Sequence, residues 1–486
     1  RLFGELARGY SGLADLAVPA WLLCAGLVRK GGTLALVVPA AWLSRDYAQP
    51  IRLLLERWFD VRCVVEDVDA RWFPDALVRT TLVVATRIER RDAGDTGDRA
   101  GHLHVALGAA CADDRSVVGA LLPDAASPEL EFAAAVRRWS AAPKSAPSGD
   151  GIAARWVPPA GGESGLPEGI VEALGCSPSG LVTLDDLGWR AGQGLRTGAN
   201  SFFHLRAGPE DGALLPSPKL GGEAIAAPAD AVLPVLQRQA DLPDGYAVHA
   251  DRIEGRVLML DRYALAEDLE GLAIPPYEPM PSELAAHVRR AARTDVGTAD
   301  TPKLISELSS VATNARAGDA GRAPRFWYQL PAFTDRHRPS LLVARVNGGH
   351  PRTLVNVDRA ALIDANFSTL WPTRDSSVDA AALLALLNSS WCTAILESAG
   401  TVLGGGALKV EATHLRQMPI PPLSEDAWAK LSALGSRLAA GNGEAAATLG
   451  AIDRLVVDSI DGLDDVAAAC ERVDAVAEQL LRIRSR

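Results

Sequence analysis

The segment best suited to holding a polyanion is Gly194-Leu195-Arg196-Thr197-Gly198-Ala199-Asn200-Ser201-Phe202-Phe203. Its two glycines allow a backbone to approach closely, Thr197 and Asn200 can hydrogen-bond phosphates or base edges, and Arg196 brings a phosphate-sized charge. As an isolated Gly-rich loop it reads more readily as a structural turn than as a ligand site. A second candidate is Arg325-Phe326-Trp327-Tyr328-Gln329-Leu330-Pro331, followed by Leu341-Leu342-Val343-Ala344-Arg345-Val346. Guanidinium forks bind phosphates or guanine edges, so the arginines, Arg345 foremost, are candidate contacts, and the aromatic cluster reads as core. The alternative is a solvated basic face around a Trp/Tyr core. Lys409 is one of six lysines in the chain and is either a phosphate contact or an ordinary surface charge.

Other chemistries find little support. His102 and His104 are two apart on an expected strand and the remaining histidines are scattered, so neither a zinc site nor a Ser-His-Asp triad is suggested. Six widely spaced cysteines suggest neither a disulfide framework nor a zinc knuckle. The net charge of −11 argues at first against nucleic acid. It conceals an asymmetry: between Asn314 and Ala360 there are eight arginines against three aspartates.

At 486 residues the chain is expected to hold several domains. No apolar run reaches the roughly 18 residues that cross a bilayer, and the sequence as it opens at Arg1 shows no charged-then-apolar leader, so a cytoplasmic address is the default expectation. Leu16, Ala20, Leu23 and Leu27 recur at helical spacing before the Gly31-Gly32 stop, and Thr33 to Val38 has the continuous apolar pattern of a central parallel strand covered on both faces. A helix around Ile51, Leu54, Leu55 and Trp58 follows, then strands at Val61 to Val65 and Thr80 to Thr86, an α/β layered sheet finishing in a hairpin. A strand at His102 to Leu107, a helix around Leu130 to Trp139 and a linker from Pro143 to Gly151 come next. Leu383 to Trp391 reads as one helix, and 426–440, 443–460 and 465–483 form a helical tail.

Three groups of residues are colinear with a known family. They are Ala14-Asp15-Leu16 with Gly31-Gly32-Thr33-Leu34 and Val38-Pro39-Ala40-Ala41-Trp42-Leu43; Trp72-Phe73-Pro74 with Val78 and a Thr-rich strand; and the Gly194 to Phe203 segment. They resemble the later part of adenine-specific DNA methyltransferases of the type IIG restriction-modification or phage-exclusion kind. The segments Asn366-Phe367 to Trp371-Pro372, Leu386-Leu387-Asn388-Ser389, Gly404-Gly405-Gly406-Ala407-Leu408-Lys409 and Leu415 to Pro422 extend the likeness.

The resemblance implies the distal half of a class I, Rossmann-like methyltransferase sheet, then a mixed α/β target recognition domain and a C-terminal helical tail. It assigns 1–90 to the end of the catalytic domain, 91–185 to a variable insert and linker, 186–423 to recognition and 424–486 to the tail. Enzymes that act on a base inside a duplex rotate it out of the stack, and Phe73 falls where the family's phenylalanine stacks on the flipped adenine. Arg196, Thr197, Asn200, Arg345 and Lys409 become expected DNA contacts, with double-stranded DNA as partner and S-adenosylmethionine as methyl donor.

The chain departs from the family in two ways. It has no Asn-Pro-Pro sequence and no Gly-rich donor loop after a first strand, so the resemblance implies an amino-terminally truncated enzyme whose catalytic residues and most of whose donor site lie outside it. The missing half, or a nuclease, is then a partner. No lysine has an acid two residues before it, so the metal site of fused nucleases is not expected here. Two other readings stay open: a non-catalytic specificity module of a restriction-modification system, and a nucleotide-binding α/β enzyme of another kind.

Overall fold

A computed structural model describes residues 15–43, 48–67, 72–73, 80–91, 101–108, 117–142, 146–149, 151–157, 166–176, 178–210, 212–270, 277–297, 302–318, 322–403, 406–441 and 443–485. It is a mixed α/β structure with several mixed sheets and C-terminal helices, in two compact units, 1–163 and 164–486. Ala14, Arg71, Pro74, Val78, Gly404, Gly405 and part of the expected linker lie outside the described residues. No single helix among the described residues is long and apolar enough to cross a membrane.

The first unit is built on one six-stranded sheet. In chain order its elements are α1 (Ala17–Leu27), β1 (Thr33–Pro39), α2 (Gln49–Trp58), β2 (Phe59–Asp67), β3 (Thr80–Arg87), β4 (His102–Leu107), α3 (Pro128–Ala141), β5 (Ser148–Gly149) and β6 (Ile152–Val157). The strand order is β1-β3-β2-β4-β6-β5. β3 runs antiparallel to both β1 and β2, and β4 lies parallel to β2. The sheet therefore does not stop at residue 90. His102–Leu107 continues it, because its own alternation buries Leu103 and Val105 against Val65 and Trp139.

Two sequence expectations are corrected. Thr33–Pro39 is an edge strand rather than a central one: among the described residues it pairs only with β3, and Ala35 and Val37 face outward. Its apolar residues fit burial on both faces, but only Leu34, Leu36 and Val38 turn inward. The second correction concerns α1, which buries Val18, Trp21, Leu22 and Ala25 and leaves Leu16, Ala20, Leu23 and Leu27 exposed. The helix is apolar all round, so two stripes at helical spacing compete, and the one that meets Trp42 wins. Trp21 and Trp42 pack edge to face, with centroids 5.2 Å apart; such a pair adds about 0.5–1.5 kcal/mol beyond its buried area.

The second unit has a five-stranded sheet, a second six-stranded sheet and a small three-stranded one. The five-stranded sheet includes β7 (Trp189–Gln193), β8 (Leu341–Ala344), β9 (Thr353–Asn356) and β10 (Phe367–Pro372). One face of it is covered by α4 (Ala380–Leu387), α5 (Ser390–Ala399), α6 (Glu425–Ala440), α7 (Ala445–Asp458) and α8 (Val466–Arg484). The expected helical tail is therefore part of this core, with Ile452, Val456 and Ile460 buried in it.

The stretch read as one helix from Leu383 to Trp391 is two, bent by 64° at Asn388-Ser389. The Ser389 hydroxyl caps α5 by accepting the Cys392 N–H. The Asn388 carboxamide accepts the Thr353 N–H at 3.0 Å and donates to the Thr353 and Leu384 carbonyls at 3.1 and 2.8 Å. It stands in for a neighbouring strand, and that tie is stronger than the helical continuity its apolar neighbours suggest.

Candidate nucleic-acid interface

In the first unit, Phe73 is 48 % exposed. It sits in the connection from β2 to β3, beyond the carboxyl ends of the parallel strands β1 and β2, the edge at which open α/β sheets take ligands. The connection is anchored just before it: the buried Asp67 carboxylate accepts the Trp72 N–H at 2.7 Å, and Trp72 packs against the Val65–Trp139 cluster. Trp42, also at this edge, donates from Nε1 to the Thr81 hydroxyl at 2.9 Å. An exposed ring thus follows a half-buried, anchored neighbour. The Gly31-Gly32 turn, with Gly31 at φ +74°, precedes β1 and so lies at the opposite, amino edge. Gly32 closes the β1–β3 ladder by accepting from the Arg87 N–H.

In the second unit the Gly194 segment leaves β7 and crosses the loop 363–366. Leu195 exchanges backbone hydrogen bonds with Ile363 and Ala365, at 2.7 and 2.9 Å. A side chain at Gly194 would meet the Ile363 and Asp364 carbonyls at 2.4 Å, which is why a glycine stands there. Gly198, at φ +82°, approaches the Ser310 carbonyl as closely, 2.5 Å from where a Cβ would be. The Ser310 hydroxyl donates to Gly198 O and the Asn314 amide to Thr197 O, at 2.8 and 3.0 Å. The loop is consequently rigid on both flanks.

Three of the expected contacts are joined by hydrogen bonds. Arg196, exposed, donates to Gln193 Oε1, and Gln193 Nε2 donates to Ala365 O at 2.9 Å. Arg345 reaches the same carbonyl from Nη1 at 3.3 Å, and its Nη2 lies 2.8 Å from Glu411 Oε1. Lys409 Nζ is 2.8 Å from that same oxygen. Glu411 is also the N-cap residue of the short helix Ala412–Arg416, where its backbone N–H donates to His414 Nδ1 at 3.2 Å.

Thr197 and Asn200 behave differently. Thr197 is 1 % exposed and donates to Asn200 Oδ1 at 2.7 Å, so it shapes the loop, while Asn200 is exposed at the start of the helix Asn200–Phe203. The aromatic run is core: Tyr328 is buried, donates to Asp268 and accepts the Leu265 N–H, and Trp327 packs on Phe202. Sequence reasoning missed Gln193, the Ala365 carbonyl and Glu411. Gln193 and Glu411 lie one and two residues from motif positions, but only the fold shows that they meet. Among the described residues no group of His, Cys, Asp and Glu could hold a metal ion.

A buried pair lies behind the 363–366 loop. Asp364 Oδ1 accepts the Asn366 N–H at 2.9 Å, while Oδ2 lies 3.6 Å from His204 Nε2, and both side chains are shielded from solvent. Burial pushes Asp364 up to about 6 and holds His204 down to about 4.

Residues 320–457 match the family model for the C-terminal domain of the type II methyltransferase M.Eco57I. No curated protein sequence matches this chain. Solved structures with some likeness include the type IIG restriction endonuclease BpuSI, at 12 % identity and a TM-score of 0.35, covering 99 % of this chain and 51 % of its own. Another is the type IIL restriction-modification enzyme MmeI in complex with DNA, at 11 % identity and a TM-score of 0.47, covering 99 % and 55 %. The chain spans about half the length of those enzymes. What the sequence matches place firmly is one region: residues 320–457 are similar to the C-terminal domain of a type II methyltransferase.

Proposed function

We propose that this chain is the base-stacking and DNA-recognition part of an adenine-specific DNA methyltransferase of a restriction-modification system. The observation that carries the reading is the chain of contacts Arg196–Gln193–Ala365–Arg345–Glu411–Lys409. Residues singled out far apart in sequence meet on one surface, and two of them lie inside the region that matches the methyltransferase C-terminal domain. Arg196, Arg345 and Lys409 bind the duplex, Asn200 faces it, and Thr197 holds Asn200 in place. Phe73 receives the extruded adenine on an aromatic face at the carboxyl edge of the sheet.

S-adenosylmethionine donates the methyl group in this reading, and the groups that hold it and the target nitrogen belong to a partner half. Support for such a half comes from the side of β1 that is unpaired among the described residues and from the exposed apolar residues Leu16, Leu23, Leu27 and Val37. A nuclease is a further candidate partner. A wholly non-catalytic specificity module would have no use for an exposed Phe73 beside an anchored Trp72.

The test is a titration of a fluorescent duplex with the purified chain between 50 and 200 mM salt. Three phosphate contacts from Arg196, Arg345 and Lys409 contribute about 2.7 to the slope of log K on log salt. The chain alone is expected to bind DNA and to transfer no methyl group from labelled S-adenosylmethionine. Absence of binding at 50 mM salt, or methyl transfer by the chain alone, overturns the reading.

A further inference from the structure

The arginine-rich stretch from Asn314 to Ala360 is not one basic face. Arg345 pairs with Glu411, Arg359 with Asp335, and Arg352 is spent on the Pro243 and Asp244 carbonyls and the Tyr246 ring. Arg336 donates to His337. Two more are set apart by where they sit, directly opposite one another. Arg316 and Arg325 face each other across a narrow antiparallel bridge, with backbone bonds of 2.8 and 2.9 Å in both directions.

Like charges directly opposite on paired strands repel, and such a pair is ordinarily relieved by a carboxylate. Among the described residues neither has one. Arg316 donates to the Ala323 carbonyl at 3.0 Å, and Arg325 to the Asn314 and Thr313 carbonyls. Carbonyls orient a guanidinium without neutralising it. The field of Arg316 is felt at Arg325, whose pKa is lowered first by burial and then by that neighbour.

The placement of the pair gives the repulsion a use. Asn314, whose carbonyl takes Arg325, donates its amide to the Thr197 carbonyl, and Ser310 holds Gly198. The paired arginines are therefore bonded, through one asparagine, to the loop that carries Arg196 and Asn200. From there the contacts run on through Gln193 and Ala365 to Arg345 and Lys409. These contacts are continuous within the second unit, and among the described residues their end beyond Thr197 is the one without a carboxylate.

We infer that the Arg316–Arg325 pair is a second DNA contact, a clamp on the sugar-phosphate backbone beside the bases faced by the Gly194 loop. The inference rests on the DNA-binding reading above and adds the surface and the chemical group it takes. Two guanidiniums oriented by backbone carbonyls and short of negative charge suit adjacent phosphates, which supply the missing charge and carry no sequence information.

The experiment compares the full chain with Arg316→Gln/Arg325→Gln and with Arg316→Lys/Arg325→Lys, on one duplex that it prefers and one unrelated duplex, across the same salt range. Removing two phosphate contacts lowers the magnitude of the log–log slope by about 1.8. The loss is equal on both duplexes, and the lysine variant recovers the slope. An unchanged slope, or a loss confined to the preferred duplex, overturns the inference while leaving the reading above intact. Absence of DNA binding by the unaltered chain overturns both. A second measurement needs no substitution: phenylglyoxal labels Arg316 and Arg325, and bound duplex protects them. Equal labelling with and without DNA overturns the inference even if the glutamine variant fails to fold.

Discussion

The last helix ends in a buried guanidinium, and removing it should be costly in a way that depends on its partner. Arg484 is 3 % exposed in its side chain and Glu397 fully buried. The two meet in a fork, Nε to Oε2 at 2.7 Å and Nη2 to Oε1 at 3.0 Å. The remaining N–H groups serve the carbonyls of Asn347, Gly348, Gly349 and Gly406, at 3.3, 3.1, 2.8 and 2.7 Å. Gly406 is needed for this closeness, since a Cβ there would overlap the Arg484 carbonyl.

Breaking a buried pair from either side costs about 3–5 kcal/mol, because the surviving charge stays in the interior. Arg484→Met falls at the upper end, since it also leaves four carbonyls without a donor, and Glu397→Leu at the lower, since those carbonyls keep the guanidinium. Replacing both removes the uncompensated charge, so the double variant costs less than the sum of the singles by about 2–3 kcal/mol. Guanidinium denaturation of the full chain, fitted transition by transition because two units need not unfold together, reads all four corners of the cycle. Additive losses, or singles under about 1 kcal/mol, would refute the argument.

Other outcomes follow from the same geometry. Hydrogen bonding to Glu397 raises the His350 pKa above its ordinary 6.5, against the opposing effect of burial. A raised pKa means that the contribution is fully present below pH 6.5 and lost as pH climbs through the folded-state value; melting curves from pH 6 to 9 should fall for the parent and stay flatter for His350→Gln. Asn388→Ala strands the Thr353 N–H and carbonyl and should cost about 2–3 kcal/mol in the same denaturation assay; a loss under 0.5 kcal/mol would contradict the role of Asn388 as a strand substitute. Phe73, half exposed, should be dispensable for stability, with Phe73→Ala within about 1 kcal/mol of the parent, yet weaken binding to an unpaired adenine by about 1–3 kcal/mol. Asp364→Asn keeps an acceptor for the Asn366 N–H and removes a carboxylate whose pKa burial raises to about 6; stability measured at pH 7.5 should rise or hold, and a clear loss would show that His204 depends on the charge.

Much of this architecture is written locally. His102–Leu107 has the bounds its composition suggests, and the helices at 425–440, 445–458 and 466–484 follow their apolar spacing, because one-sided patterns admit one answer. Where the pattern is two-sided it fails. Ala17–Leu27 offers two apolar stripes, Thr33–Pro39 two apolar faces, and pairing partners distant in sequence decide between them. The site shows the same division. Arg196, Arg345 and Lys409 are visible as residue types, but Glu411 gains its meaning only when Lys409 and Arg345 arrive at one oxygen. Thr197 reads as a contact because its hydroxyl could donate to DNA; the fold gives that hydroxyl to Asn200.

The central claim is that the second unit selects DNA by sequence, with Asn200 facing the bases and Arg196, Arg345 and Lys409 holding the backbone beside them. It is tested most directly by passing a pool of duplexes with a randomised 12-base-pair centre over the immobilised chain and sequencing what is retained at about 150 mM salt, where non-specific attraction is weakened. The account predicts enrichment of a single short site containing an adenine, with the preference relaxed in Asn200→Ala and retention weakened evenly across sequences in Arg196→Gln/Lys409→Gln. Retention blind to sequence, or no retention, would contradict it.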